Sequence, residues 1–509
     1  MKKITKAFGF KLTVISLGVL IILILFSTLF QFQNVDSNAS LNTFTDHLET
    51  TIPELMTYYD VPGLNIALIK NGKSVWANSF GYANIETREK MQIDTVCRVE
   101  SISKSVTAWG IMKLVENGKI ELDVPIIQYL KDWDFSQYDY PAELITPRML
   151  LNHTAGLSLG TIGPDALYSP GDSLPPLMEI LRQEFSMIRA PGEQFYYSDT
   201  GYNMLELLVE TVTGQPFAEY MRQEILMPLV MTHSGYDWVD VPVDEIPLGY
   251  NTNKAPIPVY TYAMKASGNL FSTLGDITTF IIAGMGNSYS NQTVLKGPSI
   301  EQLYDQSVEQ IPGLYGLVFD GYGLGHFIEV LSNSERALSH GGQGTGWMTH
   351  FHSIPGTGDG IVILSNSQRT WPVFATLLRD WSNWSGFSPV GMSKLLLGQK
   401  LLWFLIAGLI FFNLWKIWDL IEGLFKRKRQ FLVYAKGISV WPIIMILFAL
   451  VILTVVYIAV TMTYQPLFSI FPVASYWFFA VVVMLGFVLL FLGFFPTAKK
   501  QGKVMNEDC

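Results

Sequence analysis

Hydrophobic residues are concentrated in four long runs near the two ends of the chain. The first covers residues 12–30, and three more follow at about 401–418, 438–461 and 475–495. Each run is close to the roughly 20 residues that an α-helix needs to cross a bilayer. The pattern therefore predicts four transmembrane helices, one before and three after a middle segment of about 350 residues, which is long enough to bury a sizeable core.

Basic residues flank these runs in a consistent pattern. They precede the first run, separate the second from the third, and follow the last, whereas residues 464–472 contain no Lys or Arg. Because positively charged loops stay in the cytoplasm, we expect the middle segment outside and the C-terminus inside. The first run could instead be a cleaved signal peptide, since Ser37-Asn38-Ala39 resembles a cleavage site. The basic residues are Lys2, Lys3, Lys6, Lys11, the cluster 426–429, Lys499, Lys500 and Lys503.

Strand-like runs occupy both ends of the middle segment, and helix-like runs lie between them. Asn71-Gly72 separates the first two strand-like runs and is a strong hairpin signal. This order predicts an α+β architecture in which one sheet joins distant segments of the chain. The strand-like runs are 64–69, 74–80, 347–352 and 360–364, and the helix-like runs are 101–116, 200–213 and 373–381.

Composition narrows the class of protein further. The chain is 49% hydrophobic and only 15% charged, whereas soluble domains have about a quarter charged residues. This excludes an ordinary cytosolic enzyme and a disordered chain. The net charge of −9 and the lack of a basic patch in the middle segment argue against nucleic-acid binding. Two cysteines, Cys97 and Cys509, cannot form a disulfide framework.

A candidate nucleophile lies at the start of a predicted helix. Ser101-Ile102-Ser103-Lys104 places Ser101 and Lys104 three residues apart, on one helix face. A buried, partly neutral lysine amine can take the proton of a serine hydroxyl and make it nucleophilic. The helix N-terminus adds backbone N–H groups for a developing oxyanion. Alone, the motif occurs easily by chance at the start of a surface helix.

Two further motifs follow in order, Tyr197-Ser198-Asp199 and His340-Gly341-Gly342. With them the chain resembles the serine β-lactamase and penicillin-binding protein superfamily, specifically its class C-like branch, over roughly residues 58–383. The segments that support this resemblance are Val61-Pro62-Gly63, Gly81-Tyr82-Ala83, Leu150-Leu151-Asn152-His153-Thr154-Ala155-Gly156-Leu157, Pro228-Leu229, Ser272-Thr273 and Tyr322-Gly323-Leu324-Gly325.

The resemblance implies a two-lobed fold with the site in the cleft between a helical lobe and an antiparallel sheet flanked by helices. It implies that Ser101 is acylated, that Lys104 is its base, and that Tyr197 relays a proton. The oxyanion hole would be the backbone N–H groups of Ser101 and Gln343. Asp199 and the strand at His340, Gly341 and Gly342 would contact substrate, and no cofactor or metal is implied.

Together, the hydrophobic runs and the resemblance predict the organisation of the chain. Residues 1–35 form a signal-anchor or signal peptide, 45–390 the extracytoplasmic hydrolase domain, 400–496 three transmembrane helices, and 497–509 a cytoplasmic tail. One outward hydrolase domain followed by three spans also resembles the prodrug-maturing peptidases, such as the colibactin-maturation peptidase, which remove an N-terminal acyl-D-asparagine group. A transporter partner, or self-association through the spans, stays open.

Three positions depart from the family pattern in charge. Asp199 replaces a usual Asn, Glu100 a small or neutral residue, and His340 the Lys of a Lys-Thr-Gly motif. Unless Asp199 and Glu100 are neutralised by buried partners, each change weakens attraction for an anionic substrate. We therefore expect better turnover of neutral amides or esters than of β-lactams or D-Ala-D-Ala peptides.

Two other interpretations remain at this stage. His350 and His352 could share a strand face as metal ligands, although a third ligand is not evident. The sequence favours a membrane-bound peptidase or esterase that acts on D-amino-acid-containing or prodrug-like small molecules. The alternative is a receptor that binds β-lactams or peptidoglycan, or a penicillin-binding protein, without efficient turnover; the retained Ser101, Lys104 and Tyr197 argue against it.

Overall fold

The computed structural model describes residues 39–161, 166–241, 246–286, 290–432, 440–462 and 465–497, together with positions 18 and 37. The chain divides into two compact units. One is Asn34–Leu396, and the other combines Met1–Gln33 with Leu397–Cys509. The predicted N-terminal span, apart from Gly18, and the chain after residue 497 lie outside the described residues.

The strands of the described residues are β1 (Gly63–Lys70), β2 (Lys73–Asn84), β3 (Glu89–Lys90), β4 (Cys97–Arg98), β5 (Gly249–Tyr250), β6 (Pro256–Ile257), β7 (Phe271–Ser272), β8 (Gly321–Tyr322), β9 (Phe327–Val330), β10 (Arg336–Gly344), β11 (Trp347–Ile354) and β12 (Asp359–Ser365). The helices are α1 (Leu41–Tyr59), α2 (Ile102–Glu116), α3 (Pro147–Leu151), α4 (Leu177–Glu184), α5 (Asp199–Thr213), α6 (Phe217–Met221), α7 (Leu274–Ala283), α8 (Gly297–Tyr304), α9 (Trp371–Trp384), α10 (Lys394–Phe425), α11 (Trp441–Thr461), α12 (Pro466–Ile470) and α13 (Ala474–Phe494).

An eight-stranded antiparallel sheet forms the frame of the first unit, in the order β3-β2-β1-β12-β11-β10-β9-β8. The predicted hairpin joins β1 to β2, and both Asn71 and Gly72 have the positive φ that a two-residue hairpin turn requires. β1 also pairs with β12, nearly 300 residues later, in a register that aligns Leu64 with Ser365. The sheet therefore joins distant segments, and the predicted α+β fold with an antiparallel sheet flanked by helices is confirmed.

Helix α2 runs through the hydrophobic core of this unit. Val106, Trp109 and Met112 on this helix have no solvent exposure, and 12 of its 15 residues are buried. A helix that is apolar on nearly all sides belongs inside a protein. Its first turn consequently carries Ser103 and Lys104 into the interior, while Ser101, just before the helix, stays partly exposed.

The described part of the chain contains three helices that are long and apolar enough to cross a membrane. They are Gly391–Phe425, which includes α10, then α11 and α13. Their positions agree with the predicted runs at 401–418, 438–461 and 475–495. Within this unit the Asn413 side chain of α10 donates a hydrogen bond to the Val481 carbonyl of α13 (3.2 Å), a polar contact typical of packed membrane helices.

Candidate active site

The nucleophile candidate lies in a tight turn between a strand and the buried helix. β4 pairs with β7 and ends at Arg98, and α2 begins at Ile102. Between them Glu100 has φ 52°, in the left-handed region that most residues avoid. The Ser103 hydroxyl donates to the Glu100 carbonyl and accepts from the Leu270 amide. These local bonds fix the turn that presents Ser101.

Glu100 is held by a buried cation and two tyrosine hydroxyls. Its Oε1 accepts from Arg98 Nε at 2.9 Å and from Tyr260 at 2.8 Å, and its Oε2 accepts from Tyr262 at 3.0 Å. Arg98 and Glu100 are almost fully buried, so their charges compensate one another. From its sequence position, Glu100 was expected to add negative charge near the substrate. The structure corrects this, because Arg98 neutralises that charge.

Lys104 is completely buried and directed at the nucleophile. Its Nζ lies 3.1 Å from Ser101 Oγ, donates to the Ser267 carbonyl at 2.7 Å, and lies 2.6 Å from Asp199 Oδ1. Burial lowers the pKa of the Lys104 amine, and the adjacent Asp199 carboxylate opposes this shift. Lowering the pKa favours the neutral amine, which is the form that can accept the serine proton.

Tyr197 completes the group around Ser101. Burial, with the nearby Asp199, raises the pKa of its phenol well above the usual value, and the neighbouring Ser101 side chain opposes this shift. Lys104 Nζ lies 4.9 Å from the centroid of the Tyr197 ring. A phenol with a raised pKa keeps its proton, so Tyr197 has a proton to pass on. The structure therefore brings Ser101, Lys104 and Tyr197 together.

Asp199 occupies the first turn of α5, which is capped by the Ser198 hydroxyl accepting from the Gly201 amide at 3.0 Å. We predicted Asp199 as a substrate contact. The structure instead places its Oδ1 against Lys104, with about a quarter of the side chain exposed. The condition left open for the charge prediction is thus met at Glu100, which is paired with Arg98. It is met at Asp199 only while Lys104 carries its proton.

The third motif lies on β10 beside the nucleophile turn. A Cβ on Gly342 would collide with the Val99 carbonyl oxygen, so the absence of a side chain allows β10 to approach the turn. Thr349 of the neighbouring β11 donates to the same carbonyl at 2.7 Å. Gln343 Oε1 accepts from Trp371 Nε1 at 3.2 Å. The oxyanion role of the Ser101 and Gln343 amides stays a prediction.

His340 is less accessible than the sequence suggested. The side chain is almost fully buried, with Nδ1 2.8 Å from the Gly341 carbonyl and Nε2 3.3 Å from the Tyr322 hydroxyl. Burial, with a contribution from Lys104, moves the pKa of His340 well below its usual value. The group that stands where related enzymes carry a lysine is therefore neutral.

Several residues of the site carried no usable sequence signal. Arg98, Tyr260 and Tyr262 reach Glu100 from separate segments, and Tyr315 stacks on Tyr197. His153, which belongs to one of the segments that support the family resemblance, has φ 61° and accepts from the Ser198 amide through Nδ1 at 3.2 Å. Its ring centroid lies 4.4 Å from that of Tyr197, so His153 packs against the second motif.

The metal interpretation gains no support. His350 and His352 are buried side by side, with Nε2 of the first 3.4 Å from Nδ1 of the second. Among the described residues, no group of three or more His, Cys, Asp or Glu side chains is arranged to hold a metal ion.

Comparison with known proteins gives the family context. Protein flp of Staphylococcus aureus (strain NCTC 8325 / PS 47) is 26% identical over 209 residues, which are 41% of this chain and 42% of that protein. The match thus spans less than half the length of that relative. The mouse mitochondrial serine beta-lactamase-like protein LACTB is 24% identical over 334 residues, 50% of this chain and 57% of that protein.

Solved structures share the fold. The octameric penicillin-binding protein homologue from Pyrococcus abyssi matches with a TM-score of 0.58 and 28% identity, covering 68% of this chain and 78% of that one. D-amino acid amidase from Ochrobactrum anthropi SV3 matches with a TM-score of 0.51 and 24% identity over 63% and 91%. The family model described as Beta-lactamase matches residues 48–380, well over half of the chain, and the protein therefore belongs to the beta-lactamase family, whose members are generally serine hydrolases.

Proposed function

We propose that this protein is a membrane-bound serine hydrolase that cleaves an amide or ester through an acyl-enzyme on Ser101. The observation that carries the proposal is the 3.1 Å contact between Ser101 Oγ and the buried Lys104 Nζ, with the Tyr197 ring 4.9 Å from the same amine. A nucleophile with a base within hydrogen-bond reach is the arrangement that covalent catalysis requires. The three apolar helices after residue 390 support attachment to a membrane.

The reaction would proceed in two halves. Lys104 takes the Ser101 proton while Oγ attacks the carbonyl carbon, and the Ser101 and Gln343 amides stabilise the oxyanion. Tyr197 then passes a proton to the departing amine or alcohol and recovers one from protonated Lys104, while the bond to the leaving group breaks and the ester on Ser101 forms. In the second half Lys104 and Tyr197 assist a water that attacks this ester, which releases the acid and restores Ser101.

Substrates of this site would be neutral small molecules, peptide-like or ester, including those with D-residues or prodrug groups. The neutral His340 offers no charge-assisted contact to a substrate carboxylate. Because Glu100 is paired with Arg98, its repulsion of anions is weaker than the sequence alone suggested. The solved D-amino acid amidase supports this choice at the level of fold.

Covalent labelling of the full-length protein tests the reaction class. A fluorophosphonate should add to Ser101, as read by intact mass and peptide mapping. Ser101→Ala should abolish labelling and hydrolysis, and Lys104→Ala should lower turnover by roughly 10⁴-fold to 10⁶-fold. Ser332→Ala, an exposed serine, serves as the control. An adduct on Ser103 or Ser198 would overturn the assignment, and stable labelling without turnover would indicate the receptor alternative.

The same preparation tests substrate charge. Acetyl-D-alanyl-D-alanine and its C-terminal amide differ only in the carboxylate, and we expect kcat/KM to favour the amide. A tenfold preference for the free carboxylate, about 1.4 kcal/mol, would contradict the role assigned to the neutral His340.

A further inference from the structure

A turn outside the three motifs covers one side of the active site. The 3₁₀ turn Tyr315–Leu317 carries Tyr315, whose ring stacks on that of Tyr197 with centroids 5.8 Å apart and an interplanar angle of 23°. Tyr315 also stacks on Phe327 at 5.3 Å. Its ring remains 44% exposed, so it forms the outer layer over Tyr197. Stacked aromatic rings fix each other's plane and position.

The turn is held by the segment 391–394 of the same unit. Lys394 Nζ donates to the Leu317 carbonyl at 2.9 Å. Gly391 packs against the backbone of Val318, the residue that follows Leu317. A Cβ on Gly391 would collide with the Val318 carbonyl oxygen. The Gly391 amide in turn donates to the buried Glu329 carboxylate of β9. The Lys394 side chain and the backbone of Gly391 therefore connect the start of α10 to the turn that carries Tyr315.

We propose that Tyr315 is a positioning residue for Tyr197, and that Lys394 keeps the Tyr315 turn in place. The inference rests on the proposed function, in which Tyr197 delivers the proton to the leaving group. An error of about 1 Å in the placement of a reacting group can lower the rate by about 100-fold. Tyr197 also packs against the buried His153 at 4.4 Å, whereas Tyr315 is the partly exposed ring that stacks on it.

Leaving-group chemistry separates positioning from a general structural role. An anilide can depart only when its nitrogen receives a proton, whereas p-nitrophenolate departs without one. A displaced Tyr197 should therefore lower kcat/KM for the anilide and leave kcat/KM for the p-nitrophenyl ester nearly unchanged. Hydrolysis of the acyl-enzyme, in which Tyr197 also takes part, does not enter kcat/KM. A variant that only unfolds or distorts the domain would impair both substrates alike.

The experiment compares N-acetyl-D-alanine anilide with N-acetyl-D-alanine p-nitrophenyl ester on the full-length protein. Tyr315→Ala should lower kcat/KM for the anilide by about 10-fold to 100-fold and for the ester by less than about 3-fold. Tyr315→Phe keeps the ring and should restore anilide cleavage. Leu314→Ala, at the exposed neighbouring position, is the matched control and should leave both values unchanged.

A second pair of variants tests the support of the turn. Lys394→Met removes the donor to the Leu317 carbonyl and should lower kcat/KM for the anilide selectively, by less than Tyr315→Ala does. Lys394→Arg keeps a donor and should restore cleavage of the anilide. An equal loss on both substrates, or no loss in Tyr315→Ala, would overturn the positioning role. If fluorophosphonate fails to label Ser101 of the unmodified protein, the proposed function fails and this inference fails with it.

Discussion

Two carboxylates lie beside the same nucleophile, and their environments give them different tasks. Glu100 is almost fully buried against Arg98, Tyr260 and Tyr262, which hold the left-handed turn before Ser101. Asp199 is partly exposed and pairs with Lys104. The first carboxylate therefore shapes the turn, whereas the second acts directly on the charge state of the base.

Replacing Asp199 should change the pH dependence of the reaction in a defined direction. The carboxylate favours the charged ammonium form of Lys104 and so opposes the lowering of its pKa by burial. In Asp199→Asn this opposition is gone, the pKa of Lys104 falls further, and the neutral base is present at lower pH. The acidic limb of the kcat/KM profile should therefore move to lower pH.

The measurement is a pH–rate profile on a neutral ester for the unmodified protein and the variant. Asp123→Asn is a matched control, since Asp123 pairs with Arg148 at an exposed position away from the nucleophile. An acidic limb that stays in place, or that moves to higher pH, would contradict the view that Asp199 controls the protonation of Lys104.

The residues of the site differ in how far the sequence could predict them. Ser101 and Lys104 follow from local geometry, because residues three apart on a helix lie together. Tyr197 was identified only through the family resemblance, since nothing local connects it to Ser101. Arg98 and Tyr315 were not predicted, because their partners come from distant segments and an isolated Arg or Tyr carries no spacing signal.

Among the elements, strand β10 lies close to the turn that carries Ser101, and this contact shapes the active site. Gly342 allows this approach, and any side chain there would collide with the Val99 carbonyl oxygen and contact the Glu100 Cβ. Gly342→Ala should therefore push the strand away from the turn. Overpacking of this kind costs about 1–3 kcal/mol, so the variant should melt at a lower temperature and lose activity.

Thermal unfolding and ester hydrolysis measured on the same sample check this expectation. Gly275→Ala is the control, because the new methyl group on α7 would meet no atom closer than 3.9 Å. Full stability and activity in Gly342→Ala would show that the contact between β10 and the turn is not required.

The sequence predicted some elements better than others, for a physical reason. The predicted runs 64–69, 347–352 and 360–364 correspond to β1, β11 and β12, because apolar residues dominate these central strands. The edge strand β8 and its neighbour β9 were not predicted, since short strands leave little pattern. β10 was recognised only by its motif, because three glycines weaken its strand signal.

At the scale of the whole molecule, the three apolar helices are candidate membrane spans. Their existence follows from hydropathy alone, because a bilayer requires about 20 consecutive apolar residues. The side on which each loop lies depends on charge, and the only charge-rich loop between spans is the cluster at 426–429. We propose that this cluster and the C-terminus are cytoplasmic and that the hydrolase domain is outside.

Cysteine accessibility in intact cells tests this topology with the two native thiols. Cys97 is fully buried and burial raises the pKa of its thiol, so it should not react with a membrane-impermeant maleimide. A cysteine introduced at the exposed Asn291 should label in intact cells, whereas Cys509 should label only after the cells are opened. Cys509→Ser in the same background identifies the signal that belongs to the C-terminus. Labelling of Cys509 from outside in intact cells would contradict the topology, because the basic residues after the last helix would then lie on the side that positive charge avoids.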